Sequence, residues 1–275
     1  MKTLCGPLIL ALLLSTVTSA SAATVTMGAS RNNSLFQNAA DNSAGGGAGI
    51  FAGATAVGSP RRGLIEFDVA GSLPPGAVVT GATLTLYLAI AGGGTSQPIG
   101  VHRLTADWGE GTAGDSLPTV MGSGLGFSAA DGDATWNASF HSFTAWTNPG
   151  ATGDFIATAS ATALVADLTG SPYTWGSSLP MVSDVQSWYS NPSTNFGWAL
   201  VAADEVTRGT ARAFYSRHAT VNSGGDPLDL AWRPALTVEY FILPEPHSAL
   251  LLLAGLSLAI GIAAGGLRIP SPSRK

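Results

Sequence analysis

The chain has 275 residues, of which only 11% are charged, with 35 glycines and a single cysteine. Between Ala23 and Ile242 it carries eight arginines, no lysine and sixteen carboxylates, a net charge of −8. That balance argues against nucleic acid as a partner, because phosphate contacts need a basic surface. The lone Cys5 excludes a disulfide framework.

The chain opens with Lys2, an apolar run from Leu8 to Leu14, and the small residues Ala20, Ser21 and Ala22. A positive start, a run too short to span a bilayer and a small-residue cleavage site predict a signal peptide over residues 1–22, cut by signal peptidase after Ala22. The protein is therefore expected to leave the cytoplasm.

From residue 24 to residue 242 strand patterns dominate. Residues 64–69 alternate, with Ile65, Phe67 and Val69 on one face and Leu64, Glu66 and Asp68 on the other, outward face. In residues 80–91, Ala82, Leu84, Leu86, Leu88 and Ile90 alternate with Thr83, Thr85, Tyr87 and Ala89, so one face is buried. Turn signals at 72–76, 91–94, 191–192 and 222–225 separate the strands, and the glycine-rich patches at 44–49 and 92–94 read as loops. Met181, Val182, Val185, Trp188 and Tyr189 follow a helical spacing, which predicts one helix over residues 180–189, stopped by Asn191-Pro192. Further strands are expected at 196–203, 212–217 and 235–242. The expected fold is all-β, a jelly-roll-like sandwich with one short helix and no internal repeat, forming one domain over residues 24–242.

Several residues are candidates for chemistry. Trp108, Trp136, Trp146 and Trp175 sit in turn-rich segments, and an indole face stacks on the C–H face of a sugar. Core packing is the alternative for all four. Arg61, Arg62, Arg212 and Arg217 are the cations best placed to gather around a uronic acid carboxylate, or else to pair with the chain's own acids. Asp107, Glu110, Asp131 and Asp133 are candidate oxygen ligands for Ca²⁺, though too short a pattern for an EF-hand. No nucleophile elbow, zinc motif or histidine ligand spacing is present, so a catalytic role is not expected, and no cofactor beyond that Ca²⁺ is called for.

The uncharged run from Ala249 to Leu267 has nineteen residues. At the helical rise they cover roughly 28 Å, about one hydrocarbon core. Arg268, Arg274 and Lys275 follow, and positive charge beyond a span stays in the cytoplasm. The expected topology places the preceding domain outside.

Two resemblances follow from these residues. Pro244-Glu245-Pro246, the apolar run and the basic end, in that order over residues 243–275, resemble the PEP-CTERM sorting signal. In that family the basic cluster follows the span at once, whereas here Arg268 stands alone before Ile-Pro-Ser-Pro-Ser. The resemblance implies export in a Gram-negative bacterium that makes extracellular polysaccharide, transient anchoring in the inner membrane, and cleavage by an exosortase. Separately, Arg62–Val69, Leu73–Tyr87, His102–Thr112, Asp133–Trp136, Val182–Trp188, Asn195–Leu200, Phe214–Arg217 and Arg233–Tyr240 form an ordered set similar to the DNRLRE domain of exported bacterial proteins. One departure is that the family's Arg-Glu is Arg217-His218 here. This second resemblance implies a β-sandwich related to carbohydrate-binding modules. Together they imply a non-catalytic surface or matrix protein that binds extracellular polysaccharide. The alternatives are a purely structural or adhesion module and, less favoured, a polysaccharide lyase or hydrolase.

Overall fold

The period-two pattern of residues 80–91 becomes part of a 15-residue, mostly buried strand. In the computed structural model, which describes residues 22–93, 95–115 and 124–242, this strand runs Ala77–Ala91. Leu84, Leu86 and Leu88 on its inner face are fully buried. In chain order the strands are β1 Ala22–Phe36, β2 Asn42–Ser43, β3 Gly49–Ala54, β4 Pro60–Phe67, β5 Ala77–Ala91, β6 Gln97–Arg103 and β7 Phe127–Ser128. They continue as β8 Ala138–Phe140, β9 Thr144–Ala145, β10 Ala161–Val165, β11 Pro172–Gly176, β12 Trp198–Ala202, β13 Arg212–Tyr215 and β14 Ala235–Ile242. Two helices interrupt them, α1 Val69–Ser72 and α2 Leu179–Ser190.

Ten of these strands form one antiparallel sheet in the order β1-β14-β5-β13-β3-β4-β12-β6-β10, with β11 added against β5. The path closes on itself through β1. Residues 22–28 of β1 pair with β14, and residues 29–36 pair with β4. The register shifts between Ala29 and Arg31, where the strand passes from one partner to the other. A bulge bends a strand and adds twist, and this is what lets one strand serve two partners. The closed path wraps a core containing Ile50, Ile65, Phe67, Leu86, Trp175 and Trp198.

A second core lies on the opposite side of β1, β4 and β12. It contains Leu35, Leu64, Leu104, Trp108, Trp136, Trp146 and Ala199. The segments 104–115 and 124–155, with the small hairpin β8–β9, supply most of it. This corrects the expectation that Leu64, Glu66 and Asp68 share an outward face. Leu64 and Ile65 are both fully buried, one in each core. Alternation marks two faces, but whether the second face meets water depends on what the distant chain lays over it.

The expected strands and helix stand with shifted limits. The strand expected to reach Val69 stops at Phe67, because the Asp68 side chain accepts a hydrogen bond from Gly71 N, at 2.9 Å, and caps the short α1. The single expected helix is therefore accompanied by a second. In α2 Ser178 Oγ accepts from Met181 N at 3.2 Å, and the helix ends just before Pro192. Its buried side presents Met181, Asp184, Val185 and Trp188, the last in edge contact with Trp198 at 4.5 Å between centroids. Residues 1–21 of the predicted signal peptide and the tail over residues 243–275 lie outside the described residues, and Ala22, its expected last residue, begins β1. Among the described residues no helix is long and apolar enough to cross a membrane.

Because Leu64 faces a real second core, Leu64→Ala is expected to cost about 2–5 kcal/mol, as much as Ile65→Ala. Urea denaturation of the two variants checks this. A loss of only a few tenths at Leu64 would return that face to solvent.

Candidate functional site

The densest polar motif, Asp107–Thr112, meets β1 immediately after its bulge. Arg31 donates from Nη1 to the Trp108 carbonyl at 2.6 Å and from Nη2 to Asp107 Oδ1 at 3.0 Å. It also donates from Nε to Glu66 Oε2 at 2.9 Å, while Nη2 forms an ion pair with the same oxygen. Its guanidinium lies 4.7 Å from the Trp108 ring centre. The next residue, Asn32, donates its backbone N–H to Glu110 Oε1 at 2.9 Å. Arg217 grips the same Glu110 carboxylate with two bonds of 2.7 Å, from Nε and Nη2. His218 Nε2 stands 3.4 Å from Glu110 Oε1.

The fully buried Asn33 completes the junction. Its Nδ2 donates to Ser43 Oγ at 2.8 Å and to the Glu110 carbonyl at 2.9 Å. Its Oδ1 accepts from Ser34 N at 2.7 Å and from Ala44 N at 2.9 Å. Burial raises the Glu66 carboxyl above its usual range, a shift Arg31 only partly offsets. Burial also pushes Glu110 up, but hydrogen bonds from His218, Arg217 and the Asn32 N–H outweigh it and hold Glu110 below its usual range. Arg217 is raised, mainly by its bond to Glu110. The motif is thus a structural clasp, in which each charged group is already occupied.

The candidate tryptophans are also occupied by the fold. Trp108 and Trp175 are 0% exposed, Trp146 5% and Trp136 8%, which leaves none of them an open indole face. Trp108 Nε1 donates to the Phe196 carbonyl at 2.9 Å, and Trp146 Nε1 to the Thr135 carbonyl at 2.8 Å. Trp175 lies on strand β11 rather than in a turn, and its Nε1 donates to the Ile99 carbonyl at 2.6 Å. Trp136 packs beneath the Arg62 guanidinium, 5.4 Å away. Of the seven tryptophans only Trp232 keeps substantial exposure, and it stacks on Tyr87 at 5.4 Å with nearly parallel rings.

The arginines do not gather. Arg62 binds Glu205 through two bonds of 2.9 and 2.6 Å, Arg212 lies 2.5 Å from Asp167, and Arg217 holds Glu110. The acid-rich composition is spent on them one by one. The four carboxylates considered for Ca²⁺ also part company. Asp107 turns to Arg31 and Glu110 to Arg217, while the buried Asp133 accepts from Ala130 N at 3.1 Å in a local turn. Asp131 is exposed. Among the described residues no three His, Cys, Asp or Glu side chains come together as a metal cage.

What the structure does assemble is a cleft of about 420 Å³ where β6 leaves the sheet opposite α2. Arg103, Thr105, Asp184 and Thr194 supply its polar groups, and Leu104, Ile156 and Phe196 its apolar surface. Asp184 is 7% exposed. Its Oδ2 accepts from Ser160 Oγ at 2.5 Å and from Trp198 Nε1 at 2.9 Å. Its Oδ1 has only a loose contact with Arg103 Nη1, at 3.5 Å. Arg103 Nη2 donates to Ser187 Oγ at 3.1 Å, and the guanidinium lies over Trp188 at 5.8 Å. One wall is the neck of the 104–155 region, fixed by Thr105 N to the Asp154 carbonyl at 2.9 Å and Ile156 N to the Arg103 carbonyl at 2.9 Å. Buried Trp108 reaches this cleft indirectly, through its bond to Phe196. Reading the sequence alone missed Arg103 and Asp184. The available signal was a carboxylate set among Met181, Val185 and Trp188 on the apolar side of a helix.

No family model matches the chain, and no curated protein matches it.

Glu110 gives a pH test with a definite sign. Its carboxyl is held low in the fold, so its contribution is complete above the ordinary value of 4.5 and is lost as pH falls through the folded value. Glu110→Gln is expected to cost about 1–3 kcal/mol at pH 7, toward the low end because Arg217 is partly exposed. The gap from wild type is expected to shrink as pH falls from 7 toward 3, as read from urea midpoints. A gap independent of pH would contradict the clasp.

Proposed function

We propose that this is an exported, non-catalytic surface or matrix protein whose jelly-roll-like sandwich binds polysaccharide in the cleft between α2 and the 104–105 and 156 neck. The cleft itself carries this reading. It is large enough for a sugar ring and pairs directional polar groups with apolar surface, the combination that orients a saccharide. Arg103 and the loosely engaged Oδ1 of Asp184 offer a donor and an acceptor at its polar side, and Phe196 offers an aromatic surface. Only one carboxylate lines it, whereas glycoside hydrolysis by the common route uses two flanking the bond. The sequence resemblances support export, transient anchoring by residues 249–267 and exosortase processing at Pro244-Glu245-Pro246, leaving the protein at the cell surface or outside.

Titration of the full-length protein against acidic and neutral bacterial polysaccharides is expected to give saturable binding without release of fragments. Arg103→Met and Asp184→Asn are each expected to weaken that binding about tenfold, roughly 1.4 kcal/mol, measured well below the melting temperature of each variant because Asp184→Asn also loosens α2. Trp232→Ala is expected to leave affinity unchanged. Loss of binding in Trp232→Ala alone would move the site to the Tyr87 stack. Fragment release would favour the enzyme reading, and no binding to any glycan the purely structural one.

A further inference from the structure

We propose that Arg61 is the receptor for a small organic carboxylate with an apolar body, at a site separate from the cleft proposed for polysaccharide.

The case rests on a buried charge with no anionic partner, its guanidinium 5.2 Å from the centre of the Phe36 ring. Arg61 lies in β4 and its side chain is 1% exposed. Its Nη1 donates to Ser59 Oγ at 3.0 Å and to the Pro60 carbonyl at 2.9 Å, its Nη2 to Asn38 Oδ1 at 2.7 Å, and its Nε to the Gly124 carbonyl. Every acceptor is neutral. Arg31, Arg62, Arg103, Arg212 and Arg217 each have a carboxylate within 3.5 Å, and of the three arginines without one Arg208 is exposed and Arg233 half-buried, which leaves Arg61 as the buried one. Among the described residues no carboxylate approaches Arg61, and residues 116–123, next to Gly124 in the chain, include no acid. Burial lowers its pKa to about 10, so the group is penalised for its charge yet still carries it at neutral pH. A buried cation in a chain rich in acids, and given none, is left to be neutralised from outside.

There is room beside it for the neutralising group. Two cavities, of about 270 and 330 Å³, are both lined by Arg61, Thr55 and Ala56. The first continues along Phe51, Ile90 and Ala213, and the second along Val57 and Leu125. Both open to solvent, since Val57 is 67% exposed and Ile90 42%. A guanidinium at the bottom and apolar side chains on the walls select a ligand with one anionic end and a hydrocarbon body. One N–H of Nη2 is not used by Asn38. An inorganic anion would leave the walls wet, and an amine would meet like charge.

Isothermal titration of the full-length protein with hexanoate, sulfate, 1-hexanol and hexylamine tests this. Hexanoate is expected to bind saturably, sulfate about tenfold more weakly or less, and the alcohol and amine not at all. Arg61→Met is expected to weaken hexanoate about tenfold or more. Because Arg61 also fastens Asn38, Ser59 and Gly124, a double variant, Val57→Trp with Ile90→Trp, keeps the guanidinium and fills both cavities. It too is expected to abolish binding. No hexanoate binding up to roughly 20 mM, equal binding of sulfate, or full affinity in the double variant would each overturn the proposal.

Discussion

The buried polar run Arg31-Asn32-Asn33-Ser34 holds this protein together. A strand that must pair with β14 at one end and β4 at the other bends at its bulge, and the residues just beyond the bend face inward. Asn32, Asn33 and Ser34 are fully buried. Burying three amide or hydroxyl side chains in succession is costly unless every donor and acceptor is met. Here they are met by chain far away in sequence. Asn32 Nδ2 donates to the Gly45 carbonyl at 3.0 Å, and Asn32 Oδ1 accepts from Arg217 N at 2.9 Å. Ser34 Oγ accepts from Phe51 N at 3.0 Å. Asn33 ties together the 43–44 and 110 backbones. In a low-dielectric interior such a network is strong when complete and expensive when broken, which makes it a specifier of one arrangement.

From that clasp the remaining architecture follows. The 107–112 segment is fixed against β1, so the chain after it is laid over the outer side of β1, β4 and β12, where it builds the second core around Trp108, Trp136 and Trp146. The two ends of that region return to β6 at Thr105 and Ile156, and their backbone bonds form one wall of the cleft. The other wall comes from α2, oriented by Trp188 against Trp198 and by the Asp184 bonds to Ser160 and Trp198. The clasp therefore acts on the cleft through covalent continuity and shared packing, without touching it. Charge follows the same economy. Among the described residues six of the sixteen acids pair with five of the arginines, and Arg61, buried and without an acid, lies beside open space.

Much of the fold was legible because it depends on local periodicity. Leu84, Leu86 and Leu88 alternate with Thr83, Thr85 and Tyr87 and could only be a half-buried strand, and Leu236 and Val238 in β14 read the same way. The helical spacing of Met181, Val185 and Trp188 survived with limits moved by one residue. Long-range covering was not legible. Leu64 and Ile65 look like two sides of a surface strand until the segments 104–115 and 124–155 arrive on top. Arg31–Ser34 carries no signal either, because nothing in four polar residues announces that each will find a buried partner. The site suffered most. Tryptophans near turns resemble exposed platforms, yet a turn can fold its indole inward, as Trp108 and Trp146 do. Arg103 and Asp184 escaped notice because a cleft is a property of two elements 80 residues apart, not of either one.

The most direct test is hydrogen exchange of Asn33→Ala against wild type, followed at the Ala44, Gly109 and Ala134 amides, with the β5 amides as reference. In the native protein Ala44 N donates to Asn33 itself, and Gly109 N and Ala134 N to Ser139 and Gly109 carbonyls behind it. If the clasp organises the outer region, those three amides lose protection together while β5 between Leu84 and Leu88 keeps it. If their exchange is unchanged, or if β5 loses protection to the same degree, the clasp is not what holds that region in place.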